Sequence, residues 1–109
     1  MAFSIHIDKG PRDEHRVALK GDLDINASPR LKSELALAYE DRPADIFLDL
    51  ASLDYLDSTG LGALIAVLKR ARENDHKVAI LHAKPSIEKL FYITELDKEF
   101  EMGGPDGDC

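Results

Sequence analysis

Two short apolar runs with an amphipathic helix between them constrain the fold of this chain most. Residues 46–50 and 78–83 are nearly continuous apolar segments, which is typical of strands covered on both faces of a sheet. Between them, Leu61, Leu64, Ile65 and Leu68 follow the helical i, i+3, i+4, i+7 spacing within residues 61–72. A strand, a helix and a strand in this order predict parallel pairing through a right-handed crossover. The sequence therefore predicts an α/β fold.

The flanking segments extend this arrangement at both ends. Period-two alternation in residues 3–7 and 15–20, separated by a Gly-Pro turn, predicts an antiparallel hairpin. The turn residues from Gly21 to Asn26 should end the second strand, and Asn26 or Ser28 can cap the helix that follows. Pro85 begins a last helix. The side chains expected to be buried on these two helices are Leu31, Leu35, Ala38, Ile87, Leu90, Phe91 and Thr94.

Length and composition limit the chain to one domain. Its 109 residues, with 44% hydrophobic and 32% charged, suit a single compact unit with a real core. We expect the domain to cover residues 1–102, as a small mixed, mostly parallel sheet with helices packed against it. Residues 98–102 form either an edge strand or a last helical turn. The glycine-rich residues 103–109 have nothing to bury and are expected to be a mobile tail.

The segment Asp57-Ser58-Thr59-Gly60-Leu61-Gly62 opens the central helix. Ser58 is interpreted as its N-cap, where a hydroxyl accepts a hydrogen bond from a first-turn amide. A glycine inside a helix costs roughly 1 kcal/mol relative to alanine, so Gly60 and Gly62 indicate that space is needed here. Either the helix packs closely against a neighbouring strand, or the backbone of another molecule approaches it.

A hydroxyl at a helix start is also well placed to carry a phosphate, because free amides and the positive end of the helix dipole favour an anion there. Asp57 would oppose that phosphate. If the strand ending near residue 20 runs parallel to the one ending near residue 50, their loops share one rim of the sheet. We then expect Asp22, Asp24, Asp57 and Ser58 to converge on that rim.

Charge and targeting signals exclude several classes of protein. A formal net charge of -7 argues against a nucleic-acid or anionic-membrane surface, since either needs a basic patch. Lys69, Arg70 and Arg72 do cluster, but at a helix end where the dipole favours cations. No stretch is long enough to span a membrane. The single Cys109 cannot form an internal disulfide, no signal peptide is evident, and the chain is expected to be cytoplasmic.

Catalytic motifs are interrupted. Leu56 occupies the first glycine position of a Gly-x-Ser-x-Gly elbow, and Ile65 the third glycine position of a Gly-x-Gly-x-x-Gly loop. His6 and His15 are interpreted as polar strand positions, since neither has a partner at ligand spacing, so no metal site or cofactor is expected. A small hydrolase with Ser58 as nucleophile, or a ligand-binding protein using the acidic rim, stays as a less favoured alternative.

The hexapeptide at residues 57–62, following the apolar run 47–50, resembles the STAS domain of bacterial anti-sigma factor antagonists. The segments 21–24, 78–81 and 87–96 resemble the first loop, a later strand and the last helix of that family. Nearly the whole chain is covered. The resemblance implies a non-enzymatic regulator of transcription without cofactors.

The resemblance further implies a phosphorylation switch. An anti-sigma factor serine kinase would phosphorylate Ser58, and the phosphorylated form would not hold the kinase. A phosphatase would restore the unmodified form, which binds the anti-sigma factor and releases a sigma factor. The positions matched to partner binding are Asp22, Asp24, Asp57, Ser58, Thr59, Gly60, Leu61 and Gly62. Thr59 offers a second hydroxyl, and related STAS domains that act as scaffolds or sensor-complex components are the alternative role.

Overall fold

The computed structural model describes residues 3–103 of the chain. The strands are β1 (Phe3–Lys9), β2 (His15–Leu23), β3 (Ile46–Leu56), β4 (Val78–Leu81) and β5 (Glu101–Met102). The helices are α1 (Ser28–Asp41), α2 (Ser58–Arg72) and α3 (Pro85–Ile93), and a 3-10 turn (Leu96–Lys98) precedes β5. The expected mobile tail lies outside these residues except for Gly103, whose amide donates a hydrogen bond to the Ile80 carbonyl.

One five-stranded sheet contains all these strands in the order β1-β2-β3-β4-β5. β1 pairs antiparallel with β2, and every other neighbouring pair is parallel. The predicted hairpin, the mixed and mostly parallel sheet and the central place of the strand at residue 46 are therefore confirmed. Residues 101–102 form the edge strand that was one of the two alternatives.

Two strands are longer than the sequence pattern predicted. β2 continues to Leu23 and β3 to Leu56, although turn residues from Gly21 onward were expected to end β2. Gly21 has a positive φ of 94°, which glycine adopts without steric cost, and the register shifts on both sides of it without ending the ladder. Leu23 and Leu56 are thus paired at the last position of both strands.

The helices pack on one face of the sheet. Leu31, Leu64 and Phe91, one from each helix, belong to the same buried cluster as Leu48 and Ile80 of the sheet. Successive crossovers of the same hand that always step in the same direction give this one-sided arrangement. A second small cluster of Phe47, Ala79 and Leu81 alternates with these strand residues and so lies on the opposite face. There the Arg16 guanidinium lies 4.7 Å from the centroid of the Phe47 ring.

The buried helix faces differ in detail from the predicted stripes. α1 buries Leu31, Leu35 and Tyr39, whereas Ala38 is only half-buried. In α3, Thr94 was expected inside but is exposed, and its hydroxyl donates to the Leu90 carbonyl. The residues spaced by four along α1 form one ridge, so Tyr39 and not its neighbour faces the sheet.

The central helix begins at Ser58 itself, one residue earlier than the interpretation of Ser58 as its N-cap implies. Its buried residues are Gly60, Ala63, Leu64, Val67, Leu68 and Ala71. Of the predicted stripe, Leu61 and Ile65 are only half-buried. The two extra small residues on the buried face, Ala63 and Ala71, allow the helix to sit close to the sheet.

A buried carboxylate organises the β1–β2 turn. Glu14 is 2% exposed and accepts hydrogen bonds from the Arg12 amide at 2.8 Å and the Arg16 Nε at 2.6 Å. Burial alone would raise the pKa of Glu14, but the Arg16 and backbone hydrogen bonds outweigh it and hold that pKa below its usual value. His15 is also buried, with Nε2 2.7 Å from the Arg42 carbonyl oxygen. His15 therefore lies in a strand as expected, but it is buried there, which the sequence did not indicate.

The packing of α2 gives a direct test of the core. Leu64 is 0% exposed, so Leu64→Ala should lower the free energy of unfolding by about 2 to 5 kcal/mol, the range for large-to-small changes in a core. Ile65→Ala, next to it and only half-buried, is the matched control and should cost clearly less. Urea melts measure both. Equal losses for the two variants would contradict the observed face of α2.

Candidate functional site at the start of helix α2

The loops that follow β2 and β3 lie side by side at one rim of the sheet. Leu23 and Leu56 are register partners, and the Asp57 amide lies 3.4 Å from the Leu23 carbonyl oxygen. The two chain segments therefore leave the sheet at the same level, as the parallel pairing predicted. Asp24 and Asp57, the first residues after each strand, are brought to this common rim.

Asp57, and not Ser58, is the N-cap of α2. Its backbone is extended, with φ -100° and ψ -178°, and its carboxylate accepts a hydrogen bond from the Gly60 amide at 2.8 Å. This is the usual geometry of an aspartate cap. The interpretation of Ser58 as the cap is therefore wrong, because β3 runs on to Leu56 and the helix starts directly after Asp57.

Because Asp57 caps the helix, the hydroxyl of Ser58 is not used for capping. Ser58 is the first helical residue and is exposed, as is Thr59. Within residues 3–103, the Ser58 and Thr59 hydroxyls make no hydrogen bond. Both hydroxyls are thus accessible at a helix N-terminus whose capping is done by another side chain.

The two glycines at the start of α2 have different surroundings. A Cβ on Gly60 would lie 2.1 Å from the Leu23 carbonyl oxygen and 2.9 Å from Leu56 Cδ1, so this glycine is needed for close packing of α2 on the sheet. A Cβ on Gly62 would meet nothing within 4 Å, and Gly62 is exposed. Close packing against a neighbouring strand, one of the two alternatives, therefore applies to Gly60, whereas Gly62 leaves open space on the outside of the helix.

Asp24 organises the loop between β2 and α1. Its carboxylate accepts hydrogen bonds from the Asn26 amide at 2.9 Å and the Ala27 amide at 3.0 Å. The Ser28 hydroxyl donates to the Asp24 carbonyl at 2.7 Å. Neither Asn26 nor Ser28 caps α1, since the N-cap position is Ala27 and has no side-chain hydrogen bond. The Asp24 carboxylate therefore provides the hydrogen-bond acceptor that was expected from Asn26 or Ser28.

The rim also carries exposed apolar side chains that the sequence analysis missed. Ile25, which follows Asp24, is 64% exposed, and Tyr55 is 51% exposed. Tyr55 is the register partner of Asp22, near the end of β3. Residues 51–56 were not assigned to a strand, so nothing indicated that Tyr55 would stand beside the acidic positions. Large exposed apolar side chains beside polar ones are typical of a protein–protein contact surface.

The described residues provide no metal cluster or serine base at this rim. Within residues 3–103, no three His, Cys, Asp or Glu side chains are grouped so that they could hold a metal ion. A nucleophilic serine is activated by a base within hydrogen-bond reach, and no side chain of residues 3–103 is hydrogen-bonded to the Ser58 hydroxyl. Helices long and apolar enough to cross a membrane are also absent from residues 3–103.

Comparison with known proteins gives the family. The sequence profile of the STAS domain matches residues 10–104. This chain belongs to the STAS domain family. An anti-sigma-B factor antagonist of Staphylococcus aureus (strain NCTC 8325 / PS 47) is 34% identical over 95 residues, covering 86% of this chain and 88% of that protein. The anti-sigma-B factor antagonist of Staphylococcus epidermidis is 36% identical over 84 residues, covering 77% and 78%. The resemblance found in the sequence is confirmed.

Solved structures show the same STAS fold. The anti-sigma factor antagonist SpoIIAA in its unphosphorylated form matches with a TM-score of 0.71 at 19% identity, over 83% of each chain. The phosphorylated form of Bacillus SpoIIAA gives 0.74 at 17% identity, over 94% of each chain. An anti-sigma factor antagonist from Mycobacterium paratuberculosis gives 0.79 at 22% identity, over 93% of this chain and 85% of that one. At these identities the likeness concerns the fold alone.

Alanine substitutions at the two glycines should separate their roles in this STAS domain. Gly60→Ala forces a methyl group against the backbone of β2 and should lower the free energy of unfolding by more than about 2 kcal/mol. Gly62→Ala meets open space and should raise it by up to about 1 kcal/mol, because alanine is the better helix former. Urea melts measure both changes. A destabilising Gly62→Ala, or a neutral Gly60→Ala, would contradict this account.

Proposed function

We propose that this STAS domain is an anti-sigma factor antagonist whose binding is switched by phosphorylation of Ser58. An anti-sigma factor serine kinase modifies Ser58, and a phosphatase restores the free hydroxyl. The unmodified form binds the anti-sigma factor, which then releases its sigma factor. The observation that carries the proposal is the exposed, uncommitted Ser58 hydroxyl beside a helix cap supplied by Asp57. The names of the Staphylococcus relatives support the same function.

The N-terminus of α2 can accept a phosphate without rearrangement. Of the first-turn amides, that of Gly60 is bound by Asp57, while those of Ser58 and Thr59 have no partner within residues 3–103. Free amides and the positive end of the helix dipole stabilise an anion at this position. This chain also matches both forms of SpoIIAA with similar TM-scores, 0.71 and 0.74, which supports a switch that leaves the fold in place.

The partner-binding surface in this proposal is the rim around Ser58. Its acidic members are Asp22, Asp24 and Asp57, and its apolar members include Ile25 and Tyr55. The matched positions Thr59, Leu61 and Gly62 extend the surface along the first turns of α2. Gly60 is buried against the Leu23 carbonyl, so it contributes by seating the helix and not by touching a partner.

A phosphate on Ser58 weakens this contact through charge and desolvation. It adds about 1.5 to 2 negative charges at neutral pH, beside Asp57 on a chain of net charge -7. In the free protein, water and the helix amides stabilise that charge. In a complex, the phosphate must lose its water at an interface where rim carboxylates already repel it, which costs several kcal/mol.

The site of modification is testable with a cognate anti-sigma factor kinase and Mg-ATP. We expect one phosphate per chain, located at Ser58 by fragment-ion mass spectrometry. Ser58→Ala should abolish the modification, and Thr59→Ala, which removes the neighbouring hydroxyl, is the matched control and should retain it. Phosphate confined to Thr59, or no transfer by an active cognate kinase, would refute the assignment.

The strength of the switch is measured by calorimetric titration of both forms with the anti-sigma factor. Phosphorylation should lower the affinity by about two orders of magnitude, or roughly 3 kcal/mol. Ser58→Ala should bind as the unmodified protein does, and Ser58→Asp should bind weakly. Ser33→Asp, at an exposed serine of α1, places the same charge elsewhere and should bind normally.

Amide chemical shifts of the free protein separate a local from a global mechanism. Changes confined to the loops and the first turns of α2 support the local one. Equal affinities of the two forms would exclude the switch, whereas shift changes throughout the sheet would exclude only the local mechanism.

A further inference from the structure

A recess lies between α1 and α2, away from the rim. It is a half-open cleft of about 390 Å³, a volume within the range of small-molecule sites. Its floor consists of Leu35, Tyr39, Ile46 and Val67. The cleft residues of α2 lie 8 to 12 positions after Ser58, which is about 12 to 18 Å along the helix axis. The cleft is therefore separate from the proposed phosphorylation site.

Small side chains keep the cleft open. Ala36 on α1 and Ala66 on α2 line its two walls, where longer side chains would close the gap between the helices. Ala66 is exposed and Ala36 is half-buried. The Tyr39 hydroxyl lies 2.6 Å from His76 Nδ1, so this residue presents its ring and not a polar group to the cleft.

The walls are positively charged on an acidic protein. Lys32 of α1 and Lys69 and Arg70 of α2 line the cleft, against one carboxylate, Glu73. Arg70 is already paired with Glu40 at 2.8 Å. Lys32 and Lys69 make no ion pair within residues 3–103, so their charges are available. With a net charge of -7 for the whole chain, this lining reverses the general sign of the protein.

We propose that the α1–α2 cleft binds a small amphipathic monoanion, specifically a medium-chain carboxylate. The hydrocarbon chain lies on the apolar floor between Ala36 and Ala66. The carboxylate lies between Lys32 and Lys69, one from each helix. Glu73 disfavours a second negative charge, which selects a monoanion over a dianionic phosphate. This site is independent of the phosphorylation switch, so its test does not depend on the proposed function.

The probes are hexanoate, octanoate and decanoate, with octanol as the uncharged match for octanoate. Titrations followed by amide chemical shifts should saturate, with the largest changes at Ala36, Ala66, Val67 and Lys69. Affinity should rise about two- to fourfold for each added methylene, as expected for partial to full burial of each group. Octanol should bind about fivefold more weakly than octanoate, because it lacks the charge that the two lysines pair with.

Variants test the cleft itself. Ala66→Leu fills the gap with a good helix former at an exposed position, so it should fold normally and lose binding of all three carboxylates. Lys69→Gln removes one of the two paired charges and should lower the affinity for octanoate towards that of octanol, whereas the double variant Lys32→Gln/Lys69→Gln should make the two affinities equal. Lys89→Gln, at an exposed lysine of α3, is its control and should bind normally.

Four outcomes would overturn the proposal. One is the absence of saturable shifts at cleft amides, and another is equal binding of octanol and octanoate. The third is octanoate binding whose affinity is lowered neither by Ala66→Leu nor by Lys69→Gln. Shifts centred instead on Ser58 would also place the ligand elsewhere and refute the cleft site.

Discussion

The position of the site depends on one contact, which the first turn of α2 makes with the carbonyl oxygen of Leu23 at the end of β2. Gly60 approaches it so closely that no side chain fits between, and the Asp57 amide lies 3.4 Å from it. The first turn of α2 is therefore seated on the end of a neighbouring strand. A helix start that would otherwise fray is held in a fixed position relative to the loop of Asp24.

This seating explains how two adjacent polar residues acquire different roles. Asp57 faces back into the first turn and satisfies the Gly60 amide, which is a structural task. Ser58 takes the first helical position and is exposed. Because the cap does not involve the serine hydroxyl, chemistry at that hydroxyl leaves the hydrogen bonding of the helix start intact. A serine that both capped the helix and carried the proposed phosphate would couple the phosphorylation to the capping of the helix.

The fold and the position of the candidate site could be predicted from sequence patterns. Their details depend on contacts that such patterns do not indicate. Apolar runs and helical spacing gave the order of elements and the converging rim. The end of β2 was misplaced because Gly21 was expected to form a turn, whereas its positive φ permits the strand to continue. The end of β3 was misplaced because the apolar run stops at Leu50 although the strand continues to Leu56. The choice between Asp57 and Ser58 as cap followed from that, since both residue types cap helices well. Burial of Glu14 and His15 depends on Arg16 and Arg42, whose positions no local pattern gives.

The strands β2, β3, β4 and β5 occupy neighbouring places in the sheet in the same order as in the chain. No later segment has to insert between two earlier strands. Neighbouring strands of the sheet are therefore also neighbours in the sequence, which keeps the sequence separation of paired strands small and favours rapid folding. The rim itself comes from residues 22–62, one continuous stretch. The proposed partner-binding surface is thus encoded in a single block of sequence, and the segments that follow it in the chain complete the support beneath it.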